Sequence, residues 1–118
     1  MTLEEYLHLL LMPCTTGKVY PDVRGPEPTE EYIVYTQIGG DAPGFIDRTI
    51  VSKRNTLMQI NCWAPRRKRA IAMGLAVESA LTLATTVQAS AVAAQRAALD
   101  DESDLRGVQQ DFSIWSDR

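Results

Sequence analysis

The sequence predicts an α+β fold in which an antiparallel sheet of about four to five strands packs against one long helix and a short N-terminal helix. Three patterns support this prediction. An apolar repeat with helical spacing opens the chain, and runs of alternating β-branched and aromatic residues follow it. An alanine- and leucine-rich stretch with helical spacing then precedes a final alternating run. The predicted order of elements is α-β-β-β-α-β-β.

Length and charge narrow the class of protein. The chain has 118 residues and a formal net charge of −3, so we expect a single domain spanning residues 1–118 and no bulk electrostatic binding to nucleic acid. No apolar run approaches the about 20 residues that cross a bilayer. Residues 1–12 have no basic n-region, so neither a signal peptide nor a membrane partner is expected. Cys14 and Cys62 lack CxxC spacing, which favours two reduced thiols in a cytoplasmic protein over a single disulfide.

A short helix is predicted to begin at Thr2 and to stop at Pro13. Thr2 is a suitable N-cap, and Glu4 and Glu5 place negative charge in the first turn, where it suits the helix dipole. Apolar residues recur on one face of this helix at positions Leu3, Tyr6, Leu7 and Leu10.

Residues 15–29 are rich in proline and glycine and are predicted to form an arm or loop within the domain. Val19 and Tyr20 are predicted to pair briefly with an edge strand. A connection of this length is long for a compact domain, so it is either partly structured or a docking arm for another subunit. As a docking arm, it should be poorly ordered in the isolated chain.

Three strands are predicted from alternating side chains, at Tyr32–Ile38, Phe45–Ser52 and Thr56–Trp63. A glycine- and proline-rich turn separates the first two, and the polar connector Lys53–Asn55 separates the second from the third. Two short consecutive connections predict an antiparallel meander.

The long helix is predicted from Pro65 to about Val87. Its core-facing stripe has helical spacing and consists of Ala70, Met73, Val77, Ala80, Leu81, Ala84 and Val87. Ile71, Leu75 and Leu83 fall outside this stripe, toward the back of the helix. We therefore expect another element or another subunit to cover them.

The C-terminal third is predicted to form a hairpin. Val108 to Trp115 alternates cleanly as a final strand, and Asp100–Asp104 forms an acidic turn in front of it. Because the final strand needs a neighbour, Ser90–Leu99 is interpreted as a strand. Its alanine content also allows a helix.

Patterns of common catalytic sites are absent from the sequence, which contains no GxGxxG, P-loop or GxSxG motif. His8 is the only histidine and lies between two leucines, so it is not expected to bind a metal. Cys14 has no neighbouring base, and the acidic turn lacks the glycine and distal glutamate of an EF-hand loop. We expect no enzyme activity, cofactor or metal.

Four consecutive cations begin the long helix, where they oppose the helix dipole. They can form a solvated face, contact a neighbouring subunit, or touch nucleic-acid phosphates. An acidic turn of a neighbouring subunit is a matching surface for them. The predicted contact residues are Arg66, Arg67, Lys68, Arg69, Ile71, Leu75, Leu83, Asp100, Asp101, Glu102 and Asp104.

Several short segments, taken in order, resemble the tail-completion and tail-terminator proteins of long-tailed bacteriophages and prophages. The matching places are the V-Y-P of Val19–Pro21, the strand YIVY at Tyr32–Tyr35, the C-W-A of Cys62–Ala64 before a basic helix start, and the closing D-F-S-I-W of Asp111–Trp115. The resemblance covers nearly the whole chain and offers no catalytic residues.

This resemblance implies a structural role in the virion. Such proteins form a ring, usually of six subunits, that caps the tail tube and presents a surface to the head connector. The implied partners are copies of the chain, tail-tube proteins and head-connector proteins, with DNA only passing through the ring. The resemblance also implies assembly in the host cytoplasm, residence in the virion tail, and a strand at Ser90–Leu99. The alanines of that strand depart from the family pattern.

A ring is built from contacts between two different patches, and the isolated protein is expected to be monomeric or weakly associating. Two other functions remain open from the residues. One is a small ligand-binding or regulatory domain with a ferredoxin-like sheet, and the other is a minor nucleic-acid-binding module that uses Arg66–Arg69.

Overall fold

The computed structural model describes residues 2–22, 31–41, 53–100 and 105–117. Within these ranges the chain forms two α-helices, α1 (Leu3–Leu11) and α2 (Arg67–Thr82), and a short 3₁₀ turn at Met12–Cys14. It also forms six strands: β1 (Lys18–Pro21), β2 (Tyr32–Gly39), β3 (Lys53–Ala64), β4 (Gln88–Ala91), β5 (Arg96–Asp100) and β6 (Leu105–Asp117).

All six described strands belong to one sheet with the order β1-β2-β3-β6-β4, and β5 also pairs with β6. Strand β1 runs parallel to β2, whereas every other described pairing is antiparallel. The predicted α+β class is confirmed. The strand count and the purely antiparallel arrangement differ from the prediction, because Lys18–Pro21 adds a parallel edge strand and Ser90–Leu99 contributes two strands. The order of elements also differs from the β-α-β-β-α-β order of a ferredoxin-like domain.

The predicted meander is wrong in its middle, because β2 pairs directly with β3. Tyr32 lies opposite Trp63 and Gln37 lies opposite Met58, so no strand separates the two. The predicted strand Phe45–Ser52 lies outside the described residues. The polar segment Lys53–Asn55 is the beginning of β3 rather than a connector, since Lys53 pairs with Asp117 and the Asn55 amide donates to Ser113 at 2.9 Å.

Helix α1 begins as the sequence predicts. The Thr2 hydroxyl accepts a hydrogen bond from the backbone N–H of Glu5, and the Glu5 carboxylate accepts from the backbone N–H of Thr2. This reciprocal capping box satisfies donors that a helix start leaves free. Leu7 and Leu11 are fully buried on the inner face, which anchors the helix to the core.

Both helices lie on one face of the sheet and enclose the main core. Helix α2 contributes Ala70, Met73, Val77 and Leu81, as its predicted stripe requires. It ends at Thr82, short of the predicted Val87, because the β-branched Thr85 and Thr86 disfavour helix and the chain must turn back to form β4. No helix within the described ranges is long and apolar enough to cross a membrane.

Ser90–Leu99 forms strand structure, and its helical alternative is wrong. Strands β4 and β5 pair antiparallel with consecutive parts of β6, from Gln88 opposite Trp115 to Asp100 opposite Leu105. The strand pairing is interrupted between β4 and β5, because the four residues 92–95 lie opposite only two residues of β6, Gln110 and Asp111. The Gln110 amide donates to the Ala93 carbonyl at 2.8 Å, which fixes this bulge to the sheet.

The first part of the predicted arm belongs to the fold. Thr15 is buried, and Val19 of β1 packs into the main core. Val19 and Tyr20 pair with β2, as the sequence predicts, and β1 is itself the edge strand. Residues 23–29 of the arm lie outside the described residues, so an intersubunit role for that part stays a prediction.

Candidate interaction surfaces

The described residues contain no group of three or more histidines, cysteines or carboxylates placed to hold a metal ion. Cys14 and Cys62 are free, buried thiols. Burial raises the pKa of Cys62 to about 12 and also raises the pKa of Cys14, so neither thiol is activated as a nucleophile. His8 is half-buried on α1.

The basic start of α2 contains one cation with an internal partner. Arg69 lies in the first turn after the N-cap Arg66. Its guanidinium forms an ion pair with the carboxylate of Glu31, the residue that precedes β2. Nε donates to Oε2 at 2.6 Å and Nη2 donates to Oε1 at 2.9 Å. The backbone N–H and the hydroxyl of Thr16 also donate to Oε1, at 2.8 and 2.6 Å.

This cluster joins three parts of the chain and sets the charge of Glu31. Its side chain is only 9% exposed, whereas Arg69 is 44% exposed. The hydrogen bonds from Arg69 and Thr16 outweigh burial and lower the pKa of Glu31 to about 2. The same pairing raises the pKa of Arg69. Glu31 was missed in the sequence because a contact across 38 positions leaves no local pattern.

The other three cations of the predicted contact site differ from Arg69. Among the described residues, Arg66, Arg67 and Lys68 form no ion pair, and Arg66 and Lys68 are exposed. The Nε atom of Arg67 is buried without a hydrogen-bond partner. Their positive charge opposes the α2 dipole and has no ion pair in the described fold, while their contact with an anionic partner stays a prediction.

Exposed apolar residues lie on the outer side of α2, from the turn after the basic start to the C-cap Leu83. Ile71, Leu75 and Leu83 are 41%, 53% and 77% exposed. Leu75 and Leu83 also line a shallow depression with Glu78, Ser79 and Thr82. The structure therefore places the predicted apolar contacts on the solvent side of the helix, while their contact with another subunit stays a prediction.

The described strand ends that flank the predicted acidic turn lie at the same end of the sheet as Ala64, which precedes the basic start of α2. Asp100 pairs with Leu105, and the next residue of β6, Arg106, pairs with Ala64 at the end of β3. Strands β5 and β6 pair antiparallel up to Asp100 and Leu105, as a hairpin at this place requires. The side chains of Asp100, Asp101, Glu102 and Asp104 lie outside the described residues.

A second charged surface was not marked by the sequence pattern. The first two turns of α1 form an open groove with the end of β1 and the middle of β2. Its lining includes Glu4, Glu5 and His8 with the apolar Leu9. Glu4 and Glu5 were recognised only as favourable partners of the α1 dipole, because the groove exists only once β1 and β2 lie beside the helix.

The fold and these surfaces define a small α+β domain that offers charged and apolar contact patches, as a protein of a larger assembly does. The family model for tail completion protein gp17 matches residues 11–117, nearly the whole chain, and the chain belongs to this family. A comparison with curated proteins finds no significant match. The chain is therefore a phage tail completion protein, a component of the virion tail that associates with other tail and head proteins.

Proposed function

We propose that this protein is a tail terminator or tail-completion component that forms a ring at the head-proximal end of the tail and joins the tail to the head connector. The family match supports the place of action. The observation that supports the mode of action is the outer side of α2, where Ile71 and Leu75 are exposed on the turns that follow three cations without an ion pair in the described part of the chain, and Leu83 is exposed at the far end of the helix.

A ring requires that two different patches of the subunit meet, since such heterologous contacts close around an axis. The outer face of α2 supplies one patch, because the main core is already closed on its inner face by Met73, Val77 and Leu81. The ring contains six subunits in the virion, as the resemblance implies. The protein assembles in the host cytoplasm and is monomeric or weakly associated until it meets the tail, and DNA passes through its lumen.

The role in this proposal is structural, and it involves no substrate, cofactor or metal. The described thiols are buried, and the described carboxylates form no metal cluster. In this proposal the protein acts by binding other proteins through apolar contacts and charge. The exposed apolar residues of α2 support it.

The test is a tail-joining assay with tails assembled without this protein. Purified wild-type protein should convert them into tails that attach to filled heads. The variant Leu75→Asp with Leu83→Asp should fold normally and fail, because it places charge in the apolar patch. Val92→Asp changes an equally exposed residue of the β4–β5 bulge and is the matched control. Normal joining by the α2 variant would contradict the proposed contact face.

The alternative function, a nucleic-acid-binding module, is tested by measuring DNA affinity separately from tail joining. Reversal of charge at Arg66, Arg67 and Lys68 should abolish joining without changing a negligible affinity for DNA. A strong DNA affinity of the wild-type protein that falls steeply with salt and disappears in this variant would favour the nucleic-acid function instead.

A further inference from the structure

The groove beside α1 combines negative charge with an apolar floor. Glu4 and Glu5 lie on its helix side, while Leu9 and Pro21 supply apolar surface. Leu9 is 54% exposed and offers apolar surface to a partner. Glu4 makes no ion pair or hydrogen bond within the described ranges. An amphipathic cation, with its apolar stem and charged head, fits this lining.

A buried polar group opens into the same groove. Tyr35 of β2 is only 5% exposed, yet it lines the groove. Its hydroxyl has no hydrogen-bond partner among the residues that the structure describes. Burial and the negative charges of Glu4 and Asp22 raise its pKa, so the phenol stays neutral and can accept a hydrogen bond from a cation. Because Tyr35 lines the groove, a donor that enters the groove can reach this hydroxyl.

We propose that this groove receives the basic first turn of α2 from a second copy of the chain. Arg66, Arg67 and Lys68 provide the cations, and the exposed Ile71 one turn later lies against Leu9. This inference rests on the proposed ring, because it names the two surfaces that meet between neighbouring copies. The surfaces are different and share no residue, as a heterologous contact requires.

The acidic part of the groove lies away from the basic turn of the same chain. The Arg69–Glu31 ion pair holds the start of α2 beside Thr16, which follows the C-terminal end of α1. Glu4 and Glu5 lie in the first turn of α1, six and more residues before its C-terminal end at Leu11, which places them about 9 Å or more from that end along the helix axis. Opposite charges held apart within one subunit favour contact between subunits.

A charge-swap experiment tests the pairing directly. The groove variant carries Glu4→Lys with His8→Lys, and the cluster variant carries Arg66→Glu, Arg67→Glu and Lys68→Glu. Each variant alone should self-associate at least about tenfold more weakly than wild type in sedimentation at high protein concentration. An equimolar mixture should restore association, because each variant then presents the charge that the other needs. Asp41→Lys and Arg54→Glu are matched controls at exposed positions outside both surfaces.

A second measurement does not depend on repulsion or on the stability of the charge variants. The double variant Glu4→Cys with Lys68→Cys should form disulfide-linked oligomers under mild oxidation, whereas Glu4→Cys with Arg54→Cys should not. Equal crosslinking of both double variants would overturn the inference.

The outcomes separate this inference from the proposed ring. Wild-type association that neither charge variant weakens, or that the mixture does not restore, overturns the groove contact alone. A wild-type protein that does not associate with itself in solution or on purified tails overturns the ring and the groove contact together. Normal tail joining by both variants would also overturn the groove contact.

Discussion

Arg69 and Glu31 lie 38 positions apart, and their side chains form a bidentate ion pair with N–O distances of 2.6 and 2.9 Å. The pair connects the first turn of α2 to the start of β2, and Thr16 connects both to the segment before β1. One carboxylate thus fixes the relative positions of three elements at the basic end of the molecule.

Loss of Arg69 should destabilise the protein. Arg69→Ala leaves the buried Glu31 carboxylate with only its Thr16 donors, and we expect a decrease of about 2 kcal/mol in the free energy of unfolding, reduced from the fully buried case because Arg69 is half-exposed. Urea denaturation measures this decrease. Lys53→Ala, which removes a largely exposed ion pair with Asp117, is the control and should cost about 0.5 kcal/mol or less. Equal losses in both variants would contradict a special role for Arg69.

The same pair predicts a dependence of stability on pH. The pKa of Glu31 is lowered from 4.5 to about 2 in the folded protein. Its contribution is therefore complete above about pH 4.5 and is lost as the pH falls toward 2, because the unfolded chain binds the proton first. Thermal unfolding of wild type and Glu31→Gln between pH 2 and pH 7 should converge at the acid end. Curves that stay parallel would contradict the assignment.

Gly17 should not tolerate a side chain. A Cβ atom at this position would lie 1.7 Å from the backbone carbonyl oxygen of Glu31, so the segment before β1 would have to move away from β2. Gly17→Ala should lower the free energy of unfolding by about 2 kcal/mol or more. Gly39→Ala is the matched control, since its Cβ would meet only Leu57 at 3.9 Å. Similar midpoints for the two variants in urea would show that Gly17 has more room than the structure gives it.

The two thiols should be unreactive in the folded protein. Burial raises the pKa of Cys14 and places that of Cys62 at about 12, so the thiolate fraction is negligible at neutral pH. Reaction with a thiol reagent such as DTNB should appear only when the protein unfolds. Leu83→Cys places a thiol at the exposed end of α2 and should react quickly in the folded state. Rapid reaction of both native cysteines without unfolding would contradict their burial.

The sequence by itself determined the elements that depend on neighbouring residues. The Thr2 cap, the inner stripe of α2 and the alternation of β6 follow from spacing, because side chains at 3.6- or 2-residue intervals share a face. The same spacing placed Ile71, Leu75 and Leu83 on the outside of α2. The segment resemblance to tail-completion proteins needed only the order of short motifs.

Only the tertiary structure decided which distant segments meet. The direct pairing of β2 with β3, the bulge between β4 and β5, and the capture of Arg69 by Glu31 all depend on contacts between residues far apart in the chain. Local periodicity shows which side chains are buried but does not show which segment they pack against, because many segments could cover the same apolar face. For the same reason the groove became visible only when α1, β1 and Tyr35 were brought together.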